Sequence, residues 1–337
     1  MRHTRSVLLA SALAIAPMAD VLAQQQYPTR RVRVIAPVPV EASANAAARI
    51  VAAALAEILG QSFIVENHPG ALGLLGAREL LKAKPDGYTI CFCNDGTVIT
   101  VPAAYHAADK QPPYSPLDNF TPIGQAVTIY YMLVARSDFP ATNFKEVVEY
   151  ARANPQTVRI ASASPMGTIV TGLFKELVGQ DVAIDVPYKG AKGEGTAFND
   201  LMGGHIDLLP ATSFNALPLA AAGKVKIIGA VGWQRNPYLK NVQTLAEQAP
   251  EFEQFNMLTG QLMPWNGLVG PKGMPTEVVA ILSEALQKAL QDPGVVAALA
   301  TAKLGVRYGD QKTLEDLFKR LPIVTEILKH AGVKFVE

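Results

Sequence analysis

The sequence has little net charge and lacks the short motifs that mark many nucleotide, metal and hydrolase sites. Its 337 residues carry a formal net charge of +1, which does not favour binding to nucleic acid or to an anionic membrane. It contains no GxSxG elbow, P-loop, GxGxxG or HExxH motif, and its histidines are far apart along the chain. We therefore expect no cofactor, no metal site, no catalytic residue and no nucleic-acid partner.

Cysteine is nearly absent. Cys91 and Cys93 are the only two, and their spacing within a strand-like run places both side chains on one face of the strand. We favour two buried thiols, because cysteine packs as a small hydrophobic residue. A CxC disulfide in an oxidising compartment is the alternative. Two cysteines without further ligands do not indicate a metal site.

The N-terminal apolar run is too short to cross a bilayer. Residues 1–23 have a basic start, an apolar stretch over residues 7–16 and a small-residue cleavage site at residues 21–23. This pattern is typical of a cleavable signal peptide. Because no cysteine lies near the cut, a lipid anchor is not indicated. We expect a soluble protein exported to the periplasm.

The remaining chain is long enough for two α/β lobes. Strand and helix patterns alternate from residue 31 to residue 93, and the same order returns between residues 158 and 209. Such alternation predicts parallel sheets with right-handed crossovers. We assign residues 24–128 and 265–337 to lobe 1 and residues 129–264 to lobe 2. Crossover strands near residues 129–135 and 265–269 would form the hinge.

Two segments have the same local plan and suggest a binding site. Residues 32–49 and residues 158–174 each predict a strand, a turn of small residues and the start of a helix. The first N–H groups of a helix have no partner within the helix and bind anions at the carboxyl ends of parallel strands. We call these segments the first and second cradle. Together they predict a receptor for an organic anion.

Four ordered strings carry a family resemblance. They are ENHPGA at residues 66–71 with Gly73 and Gly76, KPDGYT at 84–89, VPYKG at 186–190 and GGHID at 203–207. The chain resembles the substrate-binding receptors of tripartite tricarboxylate transporters, the Bug family, over essentially all of its mature length. The resemblance implies a periplasmic-binding-protein-like fold, closure over a carboxylated solute and delivery to a two-component membrane transporter. It implies a binding protein rather than an enzyme, and we expect a monomer.

The first cradle departs from this family. Relatives usually have Pro-Phe-Pro-x-Gly-Gly-x-x-Asp, whereas residues 37–45 read PVPVEASAN. The missing glycines make the usual backbone geometry uncertain. Asn45 and Ala211 stand where relatives carry acids, which disfavours a cationic solute. We favour a dicarboxylate with an apolar or aromatic body, such as terephthalate; a C4 to C6 di- or tricarboxylate is the alternative.

The candidate substrate-binding residues lie in the cradles and at strand ends. Several have a structural alternative: Glu41 as a solvated loop charge, Ser43 as a helix N-cap, and Asn94 as a turn former. The Tyr188 ring and hydroxyl would meet the solute or lock a turn. The full set is Val38, Val40, Glu41, Ala42, Ser43, Asn45, Asn94, Thr97, Ser162, Ser164, Gly167, Thr168, Tyr188, Ala211, Thr212 and Ser213.

Two other functions stay open at the level of sequence. A secreted hydrolase would use Ser162 or Ser164 as nucleophile, but no triad is recognisable. A sensory receptor would present its closed form to a membrane histidine kinase instead of a transporter. The receptor sequence does not separate the sensory use from the transport use.

Overall fold

The structure is a computed structural model that describes residues 27–188, 193–232, 235–262 and 264–332. The predicted signal peptide lies outside these residues, as does the end of the VPYKG string at residues 189–190. No helix within the described ranges has the length and apolar character needed to cross a membrane.

The first lobe is built on a six-stranded sheet. Its strands β1 to β3 are parallel, whereas β10 runs antiparallel to β3 and to β4, and β11 runs antiparallel to β4. In spatial order the strands, numbered along the chain, are β11 (Gly305–Gly309), β4 (Phe120–Thr128), β10 (Trp265–Pro271), β3 (Thr89–Asn94), β1 (Val32–Ala36) and β2 (Phe63–Asn67).

The second lobe is built on a five-stranded sheet. Strand β6 is parallel to β7 and β8, and β5 is antiparallel to β8 and β9. In spatial order the strands are β7 (Ala183–Pro187), β6 (Val158–Ser162), β8 (Leu208–Thr212), β5 (Tyr131–Arg136) and β9 (Val225–Ala230). Both sheets are therefore mixed, and the prediction of purely parallel sheets is only partly right. The chain enters the second sheet through β5 and returns to the first through β10, and both strands are antiparallel to their neighbours.

The helices cover the sheets. The C-terminal part of the chain forms two helices, Gln311–Phe318 and Leu321–His330, and Pro322 lies in the first turn of the second, where its missing N–H costs no helix bond. In chain order the helices are α1 (Ser43–Leu59), α2 (Leu74–Leu81), α3 (Val101–Ala107), α4 (Pro116–Asn119), α5 (Phe144–Ala153), α6 (Pro165–Val178), α7 (Gly193–Met202), α8 (Ser213–Ala221), α9 (Leu245–Gln248), α10 (Glu253–Gln261), α11 (Thr276–Gln291), α12 (Pro293–Thr301), α13 (Gln311–Phe318) and α14 (Leu321–His330).

Helix α14 joins the lobes. Its Ile327 and Leu328 are buried in the same apolar cluster as Phe144 and Phe174 of the second lobe. The helix also packs on α3 of the first lobe. Because it touches both lobes, α14 ties the C-terminal part of the chain to the second lobe as well as to the first.

The two cysteines form a disulfide, so the prediction of free thiols is wrong. Cys91 and Cys93 are joined, and their Cα atoms are 5.2 Å apart, within the range that a disulfide spans. Both residues are fully buried in β3. Their i, i+2 spacing puts the two sulfur atoms on the same face, which brings them within bonding reach.

Asp207 of the GGHID string is a structural residue. Its carboxylate accepts bonds from Arg136 Nε at 2.9 Å, from the Arg159 N–H at 2.8 Å and from Arg159 Nε at 3.0 Å. These contacts tie β5, β6 and β8 together at one edge of the second sheet. Burial alone would raise the pKa of Asp207, but the hydrogen bonds from Arg159 and Arg136 outweigh it, and the pKa is lowered.

We predict that Asp207→Asn lowers the free energy of unfolding at pH 7 by about 2–3 kcal/mol, because charge-assisted bonds to two arginines are lost. A lowered pKa in the folded state stabilises the protein above the unfolded pKa of about 3.9, and this contribution disappears as the pH falls through the folded value. Urea unfolding from pH 3 to pH 8 should show the gap to wild type closing in acid. Asp118→Asn, at an exposed carboxylate, is the control; equal losses in both variants would contradict the assignment.

Candidate functional site

A cavity of about 640 Å³ lies between the lobes, and both cradles line it. The start of α1 contributes Ser43 and Ala44, and the start of α6 contributes Ser164, Pro165 and Thr168. The volume is in the range of sites for small organic molecules. The two helix starts thus face a common space.

The first cradle presents main-chain donors. Ala42 is the N-cap of α1 and makes no side-chain cap bond. Within the described residues, the N–H groups of Ser43 and Ala44 have no acceptor, whereas the Asn45 N–H donates to Ala42 O at 2.9 Å. Neither Glu41 nor Ala42 has a positive φ angle. The glycines missing from the family pattern are therefore not needed for this loop conformation.

A second loop of the first lobe, which is not among the predicted site residues, also faces the cavity. Gly70, Ala71, Leu72 and Gly73 all have positive φ, at 125°, 46°, 58° and 96°. In the described part of the chain the N–H groups of Ala71 and Leu72 have no acceptor, and all four residues line the cavity. Successive N–H groups in such a turn form an anion-binding concavity. The sequence does carry a signal for this part of the site, because the loop belongs to the ENHPGA string and follows the carboxyl end of β2.

The second cradle offers fewer free donors than predicted. The Ser164 hydroxyl caps α6 by accepting from the Gly167 N–H at 3.0 Å, and the Thr168 hydroxyl donates to Ser164 O at 2.9 Å. Ser162 donates to Asp185 Oδ1 at 2.6 Å. Pro165 has no N–H. All three hydroxyl groups therefore have structural partners, as expected if this loop mainly caps the helix.

Ten of the predicted site residues line the cavity and six do not. Those on the wall are Val38, Glu41, Ala42, Ser43, Asn94, Ser162, Ser164, Thr168, Tyr188 and Thr212. Those that are absent from it are Val40, Asn45, Thr97, Gly167, Ala211 and Ser213.

The six residues off the wall have other environments. Val40 is 62% exposed, whereas Ala211 is fully buried in β8. Asn45 is buried; its Nδ2 donates to Val40 O at 2.6 Å and its Oδ1 accepts from Asn67 at 3.0 Å. Asn45 thus holds the first cradle in shape.

The other three residues off the wall, Thr97, Gly167 and Ser213, also have structural hydrogen bonds near the cavity. The Thr97 N–H donates to the Asn94 side chain at 2.8 Å, and the Gly167 N–H donates to the Ser164 cap. The Ser213 hydroxyl reaches across to Lys303 O of the first lobe at 3.2 Å. Asn94 therefore forms the turn and lines the cavity at the same time.

The Tyr188 hydroxyl has a partner within the second lobe. The hydroxyl donates to Asp200 Oδ2 at 2.6 Å, while the residue lines the cavity. Burial and the bond to Asp200 raise the pKa of Tyr188. Tyr131, another wall residue, places its hydroxyl 3.5 Å from Ser164 Oγ.

Charged side chains on the wall are mainly acidic. Among the described wall residues, Glu41, Asp185 and Glu194 are carboxylates and Lys175 is the only cation. Glu194 and Asp185 were not expected from the sequence. Glu194 lies in a Lys-Gly-Glu-Gly stretch that is typical of a solvated loop, and Asp185 occupies a strand position without a motif.

Glu194 is held in place by three donors. Thr212 donates through its N–H to Oε1 at 3.2 Å and to Oε2 at 3.1 Å, and through its hydroxyl to Oε2 at 2.8 Å. Asn215 Nδ2 donates to Oε2 at 2.9 Å. Burial raises the pKa of Glu194, against the lowering effect of the bonds from Asn215 and Thr212.

Glu41 reaches the opposite lobe. A Cβ atom built on Gly193, at the start of α7, would lie 3.3 Å from Glu41 Oε1. The Glu41 side chain is exposed and lines the cavity. Glu41 therefore lies where the two lobes meet, and its carboxylate is near a helix start, where acids are favoured.

Comparison with known proteins identifies relatives over nearly the whole chain. The sequence model of a protein family, the tripartite tricarboxylate transporter family receptors, matches residues 47–326 of this chain. A UPF0065 protein encoded in the tcbD-tcbE intergenic region of Pseudomonas sp. strain P51 is 30% identical, over 87% of this chain and 83% of that protein.

Two solved structures extend the comparison. The periplasmic binding protein BugD is 30% identical, with a TM-score of 0.77, over 91% of this chain and 99% of BugD. MatC from Rhodopseudomonas palustris, solved with bound malate, is 26% identical, with a TM-score of 0.77, over 90% of this chain and 100% of MatC. All of these matches extend over both lobes.

We predict that Gly73→Ala disrupts the loop over residues 70–73. A methyl group there would overlap the buried Thr97 hydroxyl, in addition to the strain of a positive φ. We expect the free energy of unfolding to fall by about 2 kcal/mol or more. Gly273→Ala is the matched control, because its φ is 88° and no atom lies within 4 Å of the added methyl. Chemical denaturation of both variants checks this; equal losses would show that the close contact is unimportant.

Proposed function

Because this chain belongs to the tripartite tricarboxylate transporter receptor family and is a solute-binding receptor, we propose that it closes over an organic carboxylate between its lobes. Its relatives are binding proteins rather than enzymes. The hydrolase alternative has no support from the cavity: in the described chain Ser162 and Ser164 bond to Asp185, Gly167 and Tyr131, and not to a histidine.

The observation that carries the proposal is the set of four unpartnered N–H groups on the first lobe. Ser43 and Ala44 supply two from the start of α1, and Ala71 and Leu72 supply two from the neighbouring loop. Backbone donors at a helix start bind a carboxylate without a basic side chain. The solute carboxylate binds there, and the rest of the molecule contacts the second lobe.

Apolar wall residues favour a solute with an apolar body. Pro37 and Val38 line the first side of the cavity, Ala163 and Pro187 line the second, and Ile129 lines it from the crossover between β4 and β5. We propose a dicarboxylate with an apolar or aromatic body, such as terephthalate. The alternative is a C4 to C6 di- or tricarboxylate, and the malate bound to MatC supports this wider class.

Closure of the two lobes signals to the membrane transporter that a solute is bound. Each lobe supplies part of the wall, so a solute that contacts both lobes favours the closed population. The protein acts in the periplasm after removal of its signal peptide, as a monomer, and delivers the solute to the two membrane subunits of a tripartite transporter. A pull-down with those subunits, in the presence and absence of solute, tests the partner.

We predict that removing one main-chain donor weakens carboxylate binding. Ser43 is the first residue of α1, and the extended backbone of Ala42 before it suits proline at this position. Ser43→Pro removes the N–H and the hydroxyl, whereas Ser43→Ala removes only the hydroxyl. Isothermal titration against a carboxylate panel should show a loss of about tenfold or more for Ser43→Pro relative to Ser43→Ala.

Gln311→Pro is the matched control. Gln311 is also the first residue of a helix, follows an extended N-cap and lies outside the cavity. The control variant should bind carboxylates like wild type. If Ser43→Pro and Ser43→Ala bind equally well, the Ser43 N–H is not a solute contact; if wild type binds amines but no carboxylate, the proposed solute class is wrong.

A further inference from the structure

Glu194 has one carboxylate oxygen that its protein partners leave largely unused. Oε2 accepts three bonds, whereas Oε1 accepts only a share of the Thr212 N–H at 3.2 Å. Each carboxylate oxygen has two acceptor sites. The residue is 8% exposed and lines the cavity. Oε1 therefore has acceptor capacity left for a group inside the cavity.

The two sides of the cavity differ in polarity. The first lobe presents the four unpartnered N–H groups, which are donors, together with the exposed Glu41 carboxylate where the lobes meet. The second lobe presents Glu194 from α7 and Asp185 from β7, which are acceptors. A solute that spans the cavity meets donors at one end and acceptors at the other. A solute with two fully ionised ends would put one carboxylate against Glu194.

We propose that Glu194 determines the specificity of the receptor by requiring a hydrogen-bond donor on the part of the solute that faces it. This role rests on the proposed function, because it assumes that the solute carboxylate lies against the first lobe. Hydroxyl, amide and ammonium groups meet the requirement. A second carboxyl group meets it only when one proton is shared between it and Glu194, so a dicarboxylate binds with the uptake of one proton.

Other ionisable groups around Glu194 act on this shared proton. Tyr131 of β5, Glu41 of the first cradle and Asp185 of β7 line the same cavity, and so does Lys175 of α6. The two acids favour retention of the proton, and Lys175 opposes it. Their combined effect moves the pH at which a dicarboxylate binds, but it does not change the preference for a donor at constant pH.

A series of para-substituted benzoates tests the requirement directly. Benzoate, 4-hydroxybenzoate, 4-carbamoylbenzoate and terephthalate share one ring and one carboxylate and differ in the opposite group. At pH 8 we expect isothermal titration to show that the amide and the phenol bind at least about tenfold more tightly than terephthalate. Between pH 6 and pH 8 the affinity for terephthalate should fall as the pH rises, with the uptake of a proton on binding, while the affinity for the amide changes much less.

Glu194→Gln should remove this preference. The new side-chain amide would supply its own donor, so terephthalate at pH 8 should bind at least about tenfold more tightly than to wild type and lose its pH dependence. Glu149→Gln is the charge-matched control, because Glu149 is exposed on α5 and lies outside the cavity. The control variant should keep the wild-type order of affinities. Thermal unfolding checks that both variants are folded.

The outcomes separate this inference from the proposed function. If wild type binds terephthalate at pH 8 as tightly as the amide, with no proton uptake, the role of Glu194 is wrong while the carboxylate receptor stands. If no benzoate in this series and no member of the carboxylate panel binds, the proposed function itself is wrong. The pH series on wild type needs no substitution, so the inference is testable even if Glu194→Gln does not fold.

Discussion

The function that we propose depends on main-chain N–H groups that have no partner within the described chain. Ser43 and Ala44 at the start of α1, with Ala71 and Leu72 in the neighbouring loop, supply such groups at one cavity. Unsatisfied donors in a partly enclosed site are costly unless water or a ligand accepts from them. The fold maintains this arrangement because β1, β2 and β3 are parallel and end at the same edge of the sheet. We propose that the solute accepts the hydrogen bonds that the protein leaves open.

The opposite side of the cavity has a different chemistry. Its hydroxyl groups cap α6 or bond to Asp185, and Glu194 is fixed by Thr212 and Asn215. Polar groups on the cavity wall are therefore distributed asymmetrically: the first lobe presents the unpartnered N–H groups and Glu41, and the second lobe presents Asp185, Glu194 and Lys175. The small net charge of the whole chain gives no sign of this asymmetry. Under our proposal, a solute is recognised by the order of its groups along its length, in addition to its carboxylate.

The sequence predicts the parts of the fold that have strong local signals. The starts of α1 and α6 follow from strand, turn and helix periodicity, and the structure places both at the cavity. Strand β4 was missed because Pro122 and Gly124 interrupt its pattern, and β11 is short and begins and ends with glycine. The loop at residues 70–73, Glu194 and Asp185 depend on tertiary placement, which no periodicity encodes. The Cys91–Cys93 disulfide was missed because packing preference alone does not measure the approach of two sulfur atoms.

The most direct test of the central claim is a nuclear magnetic resonance titration of the ¹⁵N-labelled protein with a carboxylate that it binds. Formation of charge-assisted bonds should shift the amide protons of Ser43, Ala44, Ala71 and Leu72 strongly downfield, and more than the amides near Lys175 in the C-terminal half of α6. Large shifts confined to the Lys175 region, with those four amides unchanged, would contradict recognition by the main chain of the first lobe.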